Sequence, residues 1–557
     1  MFAALASWLL QSLRLACHSL AFLSMLPSAT SMASRAIQLP SRKWSIVALS
    51  SAGMATVLLS YLLAIALAVA CLCLPFLFFV LIPISTDSFL FGRLLLSAFG
   101  LAVGLTILWS LFPRRIPFDP KGVTIDLSKE PRLAGEIKSI SAALREPMPT
   151  EVYLLADANA FVMETSGRRV LGLGLPLLQM LSIAQFRAVL AHEFAHYYAG
   201  DTRLGPWVYN TRSSMARVYQ NLGRKSEVIR FLTRWAIVAG PYIVLMAAMR
   251  GYWKFFMQVT HSISRLQEFR SDELACYIAG SDALIGGLEG IRKCSAGLNS
   301  YWTSFVVPAA MNGYQPQLAN GFLRFMQAPQ IVKATSEFLA QQSAIAKSSP
   351  YDTHPPLNRR IEQAKLLNLP VPTESGIGSS SSEPMISLID DLGPLECGLL
   401  KRIIPATAAA NLKPINWESD GAGIYIPAWR KQVAGFQAFL STKTLADFPT
   451  LVLDPRPLAL LVPDPPKVRL NQNQRIARAN EVLFGAFALC LVDNGWNLTA
   501  EPGNFSLEKN ASKIEPGAVV GAIRSGKVPV VDWGAFCAQH GVADWPLAVL
   551  SAPPSAA

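Results

Sequence analysis

The sequence predicts an α+β protein. Transmembrane helices come first, then a mainly helical domain with a small edge sheet, then a C-terminal domain of mixed α/β texture. Three observations carry this expectation. Two long apolar segments fall within the first 112 residues. Leu177 to Tyr198 is a strong helical pattern interrupted by no Gly or Pro, and short strand-like runs precede it at Val152–Leu155 and Val170–Leu173. Past a Gly/Ser-rich stretch at 374–383, the texture changes to short apolar runs broken by Pro455, Pro457, Pro463, Pro465 and Pro466.

Composition narrows the class. A chain of 557 residues has room for two or three domains. Hydrophobic residues make up 52% and charged residues 15%. Soluble domains average about a quarter charged, so part of this chain belongs in lipid. The formal net charge is +12, but many basic residues flank apolar segments: Arg42 and Lys43, Arg114 and Arg115, Arg230 and Arg234, Arg250 and Lys254. No basic stripe interleaved with aromatics and no nucleic-acid motif is present, so the partner of this charge is read as a membrane surface and nucleic acid is excluded. The eight cysteines form no pair of CxxC motifs and read as buried thiols in a reducing compartment.

Residues 1–120 form the expected membrane region. In 1–27, Gln11, Arg14 and His18 share one helix face, which suits an interfacial amphipathic helix; a cleaved signal peptide ending in the small residues before Ala33 is the competing reading. Residues 44–84 carry no charge and are longer than the about 20 residues one span needs. They predict one long tilted helix or two short segments broken near Pro75. Residues 89–112 form a second span, with Arg93 near its start. Basic residues flank the outer ends, so if 44–84 crosses once, a hairpin with both ends in the cytoplasm follows from the positive-inside rule. This predicts an integral protein of the cell inner membrane, its soluble part on the cytoplasmic side. Residues 121–373 are expected as one domain, with Leu133–Leu144 a further helix, 374–385 as a linker, and 386–557 as a separate mixed α/β domain. In that last domain, Thr450–Leu453, Leu458–Val462 and Val528–Val531 read as strands.

The chemistry is carried by Ala191-His192-Glu193-Phe194-Ala195-His196 on the expected helix. Histidines at i and i+4 lie one turn apart on one face, so both imidazoles can reach a single tetrahedral zinc. Glu193 sits beside that face, placed to take a proton from water held by the metal. The competing reading is a helix with two ordinary buried histidines. A catalytic zinc wants three protein ligands and an open position. No third histidine follows closely, since the next residues are Tyr197, Tyr198, Ala199, Gly200 and Asp201. The best candidate is Glu268 in Gln267-Glu268-Phe269-Arg270-Ser271-Asp272-Glu273. Asp272 lies one helical turn on, so one carboxylate can ligate while the other orients a ligand histidine. A solvated acidic face is the plain alternative, and Glu273 is expected to point away. Trp235–Met249 is apolar but only 15 residues long and interrupted by Gly240-Pro241, which predicts a membrane-dipping helical hairpin between His196 and Glu268.

Four segments together resemble the integral-membrane gluzincin zinc metallopeptidases, the HtpX-like and CAAX prenyl protease-like group. They are Asn159-Ala160-Phe161; Ala188 to His196 with Gly200-Asp201; Glu268-Phe269-Arg270-Ser271-Asp272; and Thr353-His354-Pro355-Pro356-Leu357 with Arg360-Ile361. The resemblance covers about residues 90–370 and departs at Ser271, where the group usually has Ala. It implies a zincin-type catalytic domain, one Zn2+ per chain, Glu268 as third ligand, and His354 and Arg360 near the metal. It gives His354 the role of a donor to the tetrahedral intermediate, with an inhibitory fourth ligand as the alternative. Asn159 is read either as an active-site residue or as a plain turn residue. An edge strand within 164–175 would hold the substrate backbone, or else be a core strand. The expected function is a zinc endopeptidase acting on membrane or membrane-proximal proteins, misfolded ones included. A prenyl-protein processing peptidase and a non-catalytic scaffold or chaperone that keeps a metal site are the alternatives.

Overall fold

The structure is a computed structural model that describes residues 44–548 except 82–89, 112–118, 120, 166, 199–200, 226, 346–354, 372–381, 466–468, 511 and 527–529. The expected interfacial helix at 1–27, most of the linker, and His354 lie outside the described residues.

The fold is mainly helical with small sheets. Helix α1 (Trp44–Leu72) continues through a short turn at Leu74–Phe76 into a π-helical turn at Leu77–Leu81. The apolar stretch is therefore one long helical path with a discontinuity at Pro75. Helix α2 (Leu90–Leu111) packs along it, and close contact is possible because Gly100 and Gly104 face the backbone oxygens of Cys71 and Ala68. Small residues at such a crossing let apolar helices approach closely in lipid.

The sheet precedes the active helix. Its strands are β1 (Val123–Ile125), β2 (Glu151–Leu155), β3 (Ala160–Thr165) and β4 (Arg168–Gly174), with helix α3 (Pro131–Ala143) between the first two. The strand order is β1-β2-β4-β3, with β2 and β4 parallel and the other pairs antiparallel. Of the two readings for residues 164–175, the core strand holds for β4, which is paired on both sides and buried from Val170 to Gly174, while β1 and β3 form the two edges of the sheet. A strand followed closely by a helix can be central or marginal, and only pairing with β2 decides which.

Helix α4 (Leu175–Met180) leads into α5 (Ile183–Tyr198). Ser182 and Gln185 exchange hydrogen bonds across the first turn of α5, from Ser182 N–H to Gln185 Oε1 (3.0 Å) and from Gln185 N–H to Ser182 Oγ (3.2 Å). This reciprocal cap satisfies two of the donors a helix start leaves open. Arg187 then grips Glu136 of α3 with two bonds of 2.7 Å. Phe186, Leu190 and Phe194 are buried on the inner face.

Helix α6 (Asp201–Gln220) leaves the site and packs against α1 and α2; a short helix at Glu227–Leu232 follows. Helix α7 (Ala236–Ala279) then runs 44 residues back to the site. Gly240-Pro241 does not break it, contrary to expectation. Pro241 lies in the second turn and forfeits one bond to the carbonyl of Ile237, while packing on α1 and α2 holds the rest. Among the described residues, three helices are long and apolar enough to cross a membrane: Leu58–Val80, Leu90–Leu111 and Ala236–Ala279. Gly280, at φ +89°, ends α7 and starts α8 (Ser281–Tyr301). Helices α9 (Leu318–Gln327) and α10 (Leu357–Leu367) complete this part of the chain.

The later residues share a core with it. Helix α11 (Leu392–Ile403) packs against β1 and β2, helices α12 (Trp417–Ala434) and α13 (Gln472–Asp493) pack on a sheet of β7 (Asn497–Glu501), β8 (Asn504–Lys509) and β9 (Ser512–Ile514), and β5 (Tyr314–Gln315) pairs with β6 (Lys413–Pro414). Phe305, just past α8, stacks on Phe505 at 5.1 Å, and Tyr425 meets Phe505 edge-on at 4.8 Å. Two of the expected strands are helical: Phe448–Leu453 and Arg456–Ala459 are short helices with Pro449 and Pro457 in their first turns. Proline there has its φ already set for a helix, and a short apolar run has no period of its own. Of the third, residues 527–529 lie outside the described residues, and from Val530 the chain is helical.

Candidate metal centre

Two helices bring the site together. Helix α5 supplies His192, Glu193 and His196, and α7, packed across it, supplies Glu268 and Asp272. One potential ligand atom from each of His192, His196 and Glu268 falls within 4.8 Å of the others. His192 Nε2 lies 3.2 Å from His196 Nε2 and 3.5 Å from Glu268 Oε2, and His196 Nε2 lies 3.8 Å from Glu268 Oε1. Ligands about 2.05 Å from a tetrahedral zinc stand about 3.3 Å apart, so these separations fit the ion.

The surroundings explain why those atoms face inward. His192 Nδ1 is 3.0 Å from Asp272 Oδ1. A proton held on Nδ1 by the carboxylate leaves the Nε2 lone pair toward the centre. Arg360, from α10, clamps Asp272 with Nε donating at 2.8 Å and Nη2 at 2.6 Å, and its Nη1 is 3.3 Å from Glu268 Oε2. The planar fork suits this bidentate contact and locks the carboxylate that orients His192. Burial opposes the charge on Arg360, but Asp272, Glu268 and Glu193 more than offset it, and the guanidinium is held protonated. Burial would likewise lower the His192 pKa, yet hydrogen bonds to Asp272 and Glu268 carry it up to about 9. Two imidazoles and a carboxylate are the donor chemistry zinc accepts.

Glu193 is half-buried next to His192 and contributes to the acidic field at Arg360 and Tyr197. Glu273 turns away from the centre and pairs with Arg270. Asn159 is exposed just before β3, and its carbonyl accepts the Gly174 N–H at 2.8 Å. Any side chain at 174 would collide with the Asp157 carbonyl, 2.1 Å from where its Cβ would stand, so glycine is what lets this turn close over the end of β4. No contact joins the Asn159 side chain to the histidines among the described residues. His354 lies outside them, although Arg360, six residues later, reaches the site. One contact had no counterpart in the sequence reading: Ser271 Oγ lies 3.1 Å from His196 Nδ1.

Fold and site together have the form of a metal centre beside apolar helices, with two histidines on one helix and a glutamate on another. Residues 127–367 match peptidase family M48. That stretch is therefore similar to M48 peptidases, and the chain is similar to HtpX proteases. It is 25% identical over 190 residues to a protease HtpX homolog of Methylibium petroleiphilum, covering 31% of this chain and 61% of that protein. It is 30% identical over 153 residues to protease HtpX of Pseudomonas putida, covering 25% and 48%. With the HtpX homolog of Burkholderia thailandensis, 25% identity extends over 238 residues, 41% of this chain and 79% of the relative. The chain spans about half to three fifths of the length of the Methylibium and Pseudomonas relatives. The family match ends at residue 367, before the C-terminal region.

Proposed function

We propose that this protein is a membrane-anchored zinc endopeptidase, with residues 121–373 as its catalytic unit. Its substrates are membrane or membrane-proximal proteins, misfolded chains among them, and the catalytic unit lies on the cytoplasmic side of the inner membrane. The convergence of His192 Nε2, His196 Nε2 and the Glu268 carboxylate, with Oε2 3.5 Å from the first and Oε1 3.8 Å from the second, carries this reading.

His192, His196 and Glu268 would hold one zinc per chain. When bound, zinc supplies a Lewis acid and makes hydroxide available near neutral pH. Glu193 accepts the proton of the attacking water and returns it to the leaving amine. Asp272 keeps the His192 ring in one tautomer, and Arg360 keeps Asp272 ionised and in place. His354 donates to the oxygen that gains charge as the peptide carbonyl is attacked. Asn159 helps to seat the substrate chain beside β3, an edge strand, where main-chain bonds accept varied sequences. Glu193 disfavours a scaffold that keeps the metal for structure alone, since such a site has no use for a base.

The test is cleavage of an unfolded protein by the purified full-length chain in detergent, with and without chelator, beside a Glu193→Gln control. Cleavage that is lost on chelation, restored by zinc and absent in the control is the expected result. Cleavage that survives in the control would overturn the reading.

A further inference from the structure

We propose that Ser271 is a positioning residue for His196, fixing the tautomer and ring orientation with which that histidine meets the metal. The proposal deepens the metal-centre reading and rests on His192, His196 and Glu268 being the ligands.

A histidine that ligates through Nε2 must carry its proton on Nδ1, and the partner of Nδ1 decides whether it does. For His192 that partner is the Asp272 carboxylate, at 3.0 Å. For His196 it is Ser271: Nδ1 lies 3.1 Å from Oγ, while Nε2 faces His192 Nε2 at 3.2 Å. The hydroxyl oxygen accepts the Nδ1 proton, which leaves the Nε2 lone pair toward the centre.

Helix periodicity makes the two partners a set. Ser271 and Asp272 follow Glu268 by three and four residues, so all three share one face of α7. One turn of that helix therefore carries a ligand and an orienting partner for each histidine on α5. Alanine, the usual residue at this place in the resembling motif, has no acceptor to offer.

Burial gives the contact its effect. Ser271 has no solvent exposure, so water does not compete for its hydroxyl. The His196 side chain is 26% exposed against 9% for His192. The ring less enclosed by packing gains more from a fixed hydrogen bond.

The experiment compares the full-length parent in detergent with Ser271→Ala, Ser271→Thr and Glu268→Ala. Zinc affinity is read by competition with a chromophoric chelator, geometry by the visible spectrum after Co2+ substitution, and fold by thermal melting of the metal-free protein. Ser271→Ala should bind zinc about 10-fold more weakly, release it faster and shift the Co2+ spectrum, with metal-free melting unchanged. Ser271→Thr, which keeps the hydroxyl, should recover affinity and spectrum. Parental affinity and spectrum in Ser271→Ala, with zinc lost from Glu268→Ala, would overturn the proposal and leave the ligand set standing. Weakened zinc binding in both serine variants with an equal fall in metal-free melting would make Ser271 a packing residue and also overturn it. Parental zinc affinity in Glu268→Ala would instead bring down the ligand reading.

Discussion

At residue 193, glutamine keeps the shape of glutamate and loses its basicity. Glu193→Gln is therefore expected to retain zinc and lose at least about 10²-fold in hydrolysis rate, the usual contribution of a positioned base. Metal content and single-turnover cleavage check both halves. Two acidic residues on one helix separate by direction. Glu268 faces His192 and His196, while Glu273 is engaged by Arg270. Zinc content should collapse in Glu268→Ala and hold in Glu273→Ala. His354→Ala should keep zinc and lose about 10²–10³ in kcat, the cost of removing one donor to the developing oxyanion. A faster mutant would mark His354 as an inhibitory fourth ligand, and an unchanged kcat would mark it as a turn residue. The i, i+4 histidine spacing was legible in the sequence because helix geometry is local. The Ser271 contact was not, because a serine in place of alanine acquires meaning only when another helix packs on it.

Helices meet through single buried side chains. Glu396 on α11 reaches the start of α9, where its carboxylate accepts the Ala319 N–H at 2.7 Å. Burial pushes this carboxyl above its ordinary value, against the opposing pull of the Ala319 and Leu318 N–H groups. The folded protein then binds that proton more readily than the unfolded chain. Stability from this group is gained as pH falls through the raised folded pKa and lost as pH rises past it. Glu396→Gln keeps an acceptor and removes the buried charge. It should raise the melting temperature at about pH 8, with the gain vanishing toward about pH 4.5. Glu396→Ala should destabilise by about 1–3 kcal/mol at either pH, because the Ala319 N–H is left buried without that acceptor. A melting temperature for the Gln variant below the parent's at about pH 8 would contradict this account. At this scale, helices with a clear period were legible, as at α3 and α5. The short helices at Phe448–Leu453 and Arg456–Ala459 were misread, since four to six apolar residues fit either period.

Over the whole molecule, α2 serves as a ruler. Its 22 residues rise about 33 Å, close to the about 30 Å of a bilayer core. At its C-terminal end, Arg217 Nε donates to the Ser110 carbonyl at 3.2 Å and Asn221 Nδ2 to Ser110 Oγ at 3.0 Å. At its N-terminal end, Phe91 meets Trp235 at 4.8 Å. The chain therefore travels the length of α2 between Asn221 and Trp235, and α7 carries it back to the metal centre. Cysteines placed at 221 and 265 should label from the same membrane face and one at 235 from the opposite face. Labelling of 221 and 235 from a single face would sink this arrangement.

Local order determined what the sequence alone could say. Apolar length marked the first two spans, and periodicity marked α5. The HExxH spacing put two imidazoles on one side of a helix and a base between them. None of this needed a distant residue. The tertiary structure decided which contacts close the site. It set Glu268 against histidines that precede it by 76 and 72 positions, and it brought Arg360 onto Asp272 from 88 positions away. It put β4 inside the sheet and β3 at an edge, and it carried α7 unbroken through Pro241. Those outcomes depend on which faces pack together, and a side chain's partner across a helix interface is set by the packing of the whole core, not by its neighbours in the chain.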